Sequence, residues 1–142
     1  MPQTDINHAD IRTRFIFDDM PVRGLHVRLE NVWEHIAGQK HYPAAIRRAL
    51  GELLAAGALL SSNLKNEGTL IVQVQGQGRL KMLVVEATSD NTVRATARWD
   101  ETADIHDDES LTDLLGSNSV FVLTHQRRLL RILIQANNFK SL

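Results

Sequence analysis

The stretch that decides the fold runs from Tyr42 to Val85, YPAAIRRALGELLAAGALLSSNLKNEGTLIVQVQGQGRLKMLVV. In its first half Ile46, Leu50, Leu53, Leu54, Ala58 and Leu60 recur at spacings of three and four. That spacing predicts a helix from Pro43 to about Ser61 with one core-facing stripe. Pro43 suits the first turn, where its missing N–H costs nothing. Ala45, Ala49, Gly51, Ala55, Ala56 and Gly57 keep the helix slim, so it can lie close against a sheet or another helix. After the turn Asn66-Glu67-Gly68 the period changes. Thr69 to Gln75 and Arg79 to Glu86 read as two strands joined by Gly76-Gln77-Gly78, a hairpin.

Strict alternation through this hairpin puts Leu70, Val72, Val74, Leu80, Met82 and Val84 on one face. Ile71, Leu83 and Val85 then share the other with Gln73, Gln75 and Lys81. A sheet with one wet side would be cleaner than this. One face packs on the long helix. The second is either a further core face or a surface for a partner. On the partner reading, Ile71, Leu83 and Val85 are the expected contacts.

Upstream, Met1 to Asp10 reads as a loose polar end. Arg12 to Phe17 suits a strand, Met20-Pro21 breaks it, and Arg23 to Leu29 alternates as a second strand. Asn31 is placed to cap a short helix through Val32, Trp33 and Ile36, with Gly38 ending it. Downstream, Asn91 to Trp99 alternates with Val93, Ala95, Ala97 and Trp99 on one face. An acidic loop follows from Asp100 to Glu109. Ser110 then caps a short helix over Leu111, Leu114 and Leu115, and Ser119 to Thr124 is a further strand. Strands with helices grouped between them predict an α+β fold, a mainly antiparallel sheet packed with one long helix and short helices in a single domain.

The bulk composition bounds function more than it assigns it. Sixteen Lys and Arg against seventeen Asp and Glu give a formal net charge of −1, so no concentrated basic face is offered to nucleic acid. No run approaches the length of a membrane helix, and the N-terminus has no apolar leader. There is no cysteine, which excludes disulfides, thiolate zinc sites and a cysteine nucleophile within these 142 residues. A cysteine-free chain fits a reducing, cytoplasmic setting.

Candidate chemistry is thin. Gly76 and Gly78 join two strands rather than a strand and a helix, so they make a turn and not a phosphate loop. The six histidines, His8, His26, His35, His41, His106 and His125, include no helical pair at metal-ligand spacing. His106 with Asp104, Asp107 and Asp108 reads as exposed loop. No G-x-S-x-G elbow is present, and no carboxylate sits isolated in an apolar run where burial would raise its pKa. The expectation is no metal, no catalytic residues and no enzyme. A pocket formed by several of Asp18, Asp19, His26 and Arg28 would revive an enzyme of small molecules.

Several positions in this order resemble the heat-shock protein 33 family of redox-regulated holdase chaperones. They are Pro2-Gln3, Val22-Arg23-Gly24, Tyr42-Pro43, the run Leu50 to Ala56, Leu59-Leu60, Leu64-Lys65, Gly68, Gln73 to Gly76, Gly78 and Leu80. The resemblance implies an N-terminal domain that binds unfolding proteins through apolar surface, without ATP, under oxidative or heat stress, and usually as a homodimer. It also implies a linker that covers this surface, and zinc held by four cysteines in a C-terminal domain. None of those cysteines occurs here, so no cofactor and no redox switch are expected of this chain. On this reading residues 1–124 are the family-like domain, incomplete, and 125–142 are an atypical tail. The family domain continues with more strands, whereas this tail is basic and apolar, HQRRLLRILIQANNFKSL. It reads as the product of an altered reading frame, or as an amphipathic element with Arg127, Arg128 and Arg131 outward. The expected function is holdase activity on unfolding clients, with no nucleic acid or membrane as partner. The alternatives are a non-functional truncated fragment of such a chaperone and a small-molecule enzyme.

Overall fold

One helix lies between two antiparallel sheets in the computed structural model, which describes residues 10–64, 67–126 and, for the backbone, 131–137. The expected loose end before Asp10, residue Asn66 of the expected turn, and 127–130 and 138–142 of the tail lie outside the described residues. In chain order the elements are β1 (Asp10–Ile16), β2 (Arg23–Leu29), α1 (Asn31–Gly38), α2 (Ala44–Ser61), β3 (Thr69–Gln75), β4 (Leu80–Thr88), β5 (Val93–Trp99), α3 (Leu111–Leu115), β6 (Val120–Gln126) and β7 (Arg131–Asn137). β1 and β2 form a separate hairpin, and the other strands make one sheet in the order β5-β4-β3-β6-β7, antiparallel throughout its pairings. This is the α+β arrangement the periodicities predict.

The slim helix does what its composition demands. α2 packs on β3, β4 and β5 with one side and on β2 with another. Ile46, Leu50 and Leu54 are fully buried in the core. Each such side chain stabilises the fold by roughly 1.5–3 kcal/mol through burial. Contact is closest at Gly57, where a Cβ would lie 2.7 Å from Val85 Cγ1. Leu60 departs from the expected stripe and is exposed. Ten residues beyond Leu50, at 3.6 residues per turn, it stands about 80° off that residue's direction.

Two local expectations need correction. Asn31 is not the cap of α1 but its first residue; Glu30 holds the cap position and makes no side-chain cap bond. The free Val32 N–H donates instead to Asp10 Oδ1 at 3.2 Å, so a β1 carboxylate caps the helix from across the fold. The second correction concerns β4. The pairing register shifts between Leu80 and Met82, so Leu80 and Leu83 point the same way with two residues between them. Leu83 and Val85 therefore sit opposite Val74 and Val72, on the inner face under α2, and not beside Ile71. Both are fully buried.

α3 closes one end of the core with Leu114 and Leu115. Its start is the expected Ser110 cap, a capping box with Asp113, and Gly116 ends it at φ 81°, a left-handed conformation that suits glycine. At the other side of β3, β6 pairs in register Val72↔Leu123, and β7 pairs with β6 in register Leu123↔Ile134. A strand thus occupies part of the 125–142 tail, and β6 has a neighbour on each side.

Candidate functional surface

The five-stranded sheet has an inner and an outer face, and they differ in what covers them. The inner face carries Leu70, Val72, Val74, Leu83, Val85 and Ala87, all buried, with α2 across β3, β4 and β5. The outer face carries Ile71 and Gln73 of β3, Met82, Val84 and Glu86 of β4, Thr96 of β5, and Val122 and Thr124 of β6. The cross-strand pairs Gln73↔Val84, Val84↔Thr96, Gln73↔Val122 and Ile71↔Thr124 define it. Gln73 Nε2 lies 3.4 Å from Met82 Sδ on this face. Ile71, Met82 and Val84 are half-buried by their neighbours, Val122 and Thr124 are buried, and none of these belongs to the core cluster around α2.

Of the three residues expected as client contacts, Ile71 alone stands on the outer face. Met82 and Val84 stand beside it there, whereas Leu83 and Val85 are buried under α2. The missing signal was the register shift at Leu80/Met82, which no glycine or proline inside β4 announces. Flanking the apolar centre, Glu86 pairs with Arg94 at 3.6 Å. A cleft of about 420 Å³ opens beside Val84 and Thr96, bounded by His35 and Gln39 of α1.

A second apolar surface was not anticipated as a site. Phe15, Ile16, Phe17, Met20 and Val22 are exposed at the end of the β1–β2 hairpin, with Ile16 at 75%. Phe17 N–H donates to Val22 O at 3.0 Å, which closes the hairpin end. The sequence signal was present in the run Phe15-Ile16-Phe17, which exceeds what one buried face of a two-stranded hairpin can hide.

Polar chemistry does not converge. Asp18, Asp19, His26 and Arg28 are all exposed along the β1–β2 hairpin, and Arg28 is paired with Glu30, so they enclose no pocket. The strongest ionic contact is structural. Arg79 Nη1 donates to Glu109 Oε1 at 2.6 Å and to Asp104 O at 2.9 Å, tying the acidic loop to the β3–β4 turn. The Arg79 guanidinium, followed by the His106 N–H, holds the Glu109 carboxyl below its ordinary range. Asp100 is likewise lowered by the Thr102 hydroxyl and Asp90 by the Thr88 hydroxyl. The zinc that the family resemblance implies finds no fit: the sequence has no cysteine, and no group of three or more His, Asp or Glu gathers among the described residues. No helix among them is long and apolar enough to cross a membrane.

A family model described as Hsp33 protein matches residues 10–133. The 33 kDa chaperonin of Neisseria meningitidis serogroup A is 85% identical over 126 residues, covering 89% of this chain and 42% of its own length. That of Chromobacterium violaceum is 47% identical over 125 residues, covering 88% and 42%. The chain thus spans less than half the length of these curated relatives. Among solved structures, the crystal structure of the 33 kDa chaperonin from Thermotoga maritima superposes with a TM-score of 0.76 at 19% identity. It covers 92% of this chain and 46% of that one, and it supports the fold alone.

Proposed function

The chain belongs to the Hsp33 family, and from that premise we propose that it is a holdase that binds unfolding proteins on the outer face of its five-stranded sheet. The observation that carries this reading is the asymmetry of the sheet. One face is sealed by α2, while the other presents Ile71, Met82 and Val84, half-buried and outside that core, around a buried Val122. An extended apolar client segment laid across this face buries its side chains at about 25 cal/mol per Å² of apolar surface. Gln73 and Thr96, both half-buried, lie between the apolar positions and provide hydrogen-bonding groups for a client backbone. Binding of this kind needs neither a nucleotide nor a metal, and no catalytic group takes part.

Within these 142 residues no thiolate is available, so the activity proposed for this chain does not respond to thiol oxidation. The setting that fits is the cytoplasm, where reduced and unfolding proteins are the clients. Residues 1–124 are read as the family-like domain and 125–142 as an atypical tail.

The test is light scattering of a thermally unfolding model client, with and without this chain, under reducing conditions. Suppression of scattering at stoichiometric protein supports the holdase, and addition of an oxidant leaves it unchanged. Absence of suppression, or co-precipitation with the client, would instead support the reading of a non-functional fragment.

A further inference from the structure

A cleft of about 690 Å³ between the β1–β2 hairpin and the end of α2 sets two cations among apolar walls. Its size is that of a ligand site. Arg14 pairs with Leu25 and Ile16 with Arg23, so the two arginines lie diagonally on one face of the hairpin. Diagonal neighbours stand about 7–8 Å apart, close enough for two long side chains to hold one anion between them. Arg14 Nη2 donates to Ser62 O at 2.9 Å, which fixes its guanidinium at the cleft. Arg23 is exposed and makes no hydrogen bond or ion pair with the described residues. No Asp or Glu lines the cleft, and Asp18 and Asp19 in the hairpin turn pair with neither arginine. Two like charges facing one space repel, and an anion between them relieves that cost. Around them Ile16, Leu25 and Leu64 supply the apolar wall. Apolar exposure then continues out of the cleft, from Ile16 at 75% to Met20 and Val22 at the hairpin end.

We propose that this cleft binds an acidic peptide segment, with one carboxylate between Arg14 and Arg23 and the apolar side chains flanking it over Ile16, Leu25 and Leu64. A guanidinium meets a carboxylate with two parallel N–H donors, a stronger contact than one between neutral groups. Arg14 already uses a donor on Ser62 O, whereas Arg23 keeps its full set, so Arg23 carries the larger share of the recognition. The apolar strip beyond the cleft favours an extended segment, since a compact carboxylate would leave Met20 and Val22 uncovered. This cleft is separate from the outer sheet face, so the proposal does not rest on the holdase reading.

Titration calorimetry of the 142-residue chain at low salt tests it. The probe is a capped peptide in which one Glu, its sole carboxylate, is flanked by Leu and Phe among serines. It should bind about tenfold more tightly than the same peptide with Gln in place of Glu. Arg23→Gln should bring the Glu peptide to the level of the Gln peptide and leave the Gln peptide unchanged. Arg23→Lys should keep part of the preference, because an ammonium retains the charge but not the fork. Ile71→Lys, on the outer sheet face, should leave the preference intact, so a failure of the holdase reading and a failure here are told apart. Circular dichroism checks that each variant keeps its fold. Equal affinity for the two peptides, or a preference that survives Arg23→Gln, would overturn the proposal. So would octanoate binding as tightly as the peptide, which would give the cleft to a free carboxylate. Peptide affinity that falls as the chain is concentrated would give it to a second copy, and would overturn the proposal as well.

Discussion

Met82 and Leu83 are neighbours in β4, and so are Val84 and Val85, yet their surroundings are opposite. Leu83 and Val85 are sealed against α2, while Met82 and Val84 are half-exposed on the far side of the same strand. Composition does not distinguish them, because all four are apolar. The register shift at Leu80/Met82 decides which pair is core and which pair is surface. One extra residue in a strand turns every later side chain to the other face. One apolar strand thus carries a sealed face and a half-exposed one, with the division set by a single irregularity.

The largest effect should come from the sealed side. Leu83→Ala is expected to destabilise by about 2–5 kcal/mol, through lost burial and the cavity left behind. Val84→Ala should cost about 1 kcal/mol or less, because its neighbours only half bury it. Urea unfolding of the two variants measures both, and equal costs would erase the distinction between the faces.

A smaller effect should come from the contact that lets α2 approach so closely. Gly57→Ala places a methyl group 2.7 Å from Val85 Cγ1. Overpacking of this kind costs about 1–3 kcal/mol, offset in part by the better helix propensity of alanine. In the Val85→Ala background the clash disappears and Gly57→Ala should no longer destabilise. A double-mutant cycle of thermal unfolding reads that coupling directly. No coupling would mean that the helix does not rest on β4 at this point.

The smallest effect concerns pH. Arg79 holds the Glu109 carboxyl below its ordinary value of 4.5. A carboxyl lowered in the folded state contributes stability that is present above the unfolded value and is lost as pH falls through the folded one. Glu109→Gln should therefore be less stable than the parent at neutral pH, with the gap closing as pH falls below 4.5. Denaturant midpoints measured across that range check it. A gap that does not change with pH would assign the effect to packing rather than charge.

Much of this architecture was legible because its signals are local. The 3–4 spacing of Ile46, Leu50 and Leu54 fixes the buried stripe of α2, the Gly76-Gln77-Gly78 turn fixes the β3–β4 hairpin, and Ser110 with Asp113 marks the start of α3. What stayed hidden depends on distant partners. Asp10 caps α1 from another element, which no inspection of Asn31 could reveal. The face of Leu83 depends on pairing with Val74, nine residues away, across a shift that the sequence does not mark. For the candidate surface, only Ile71 was readable, because β3 contains no irregularity and its alternation holds from Thr69 to Gln75. The exposed hairpin end was visible as a run of apolar residues, but only the position of α2 shows that nothing described covers it.

The most direct test compares Ile71→Lys with the parent chain in the scattering assay of an unfolding client. Urea unfolding in parallel confirms that the variant is folded. A lysine at the centre of the outer face should abolish most of the protection while leaving the unfolding midpoint close to that of the parent. Full protection by folded Ile71→Lys protein would contradict the account and move client binding away from this face.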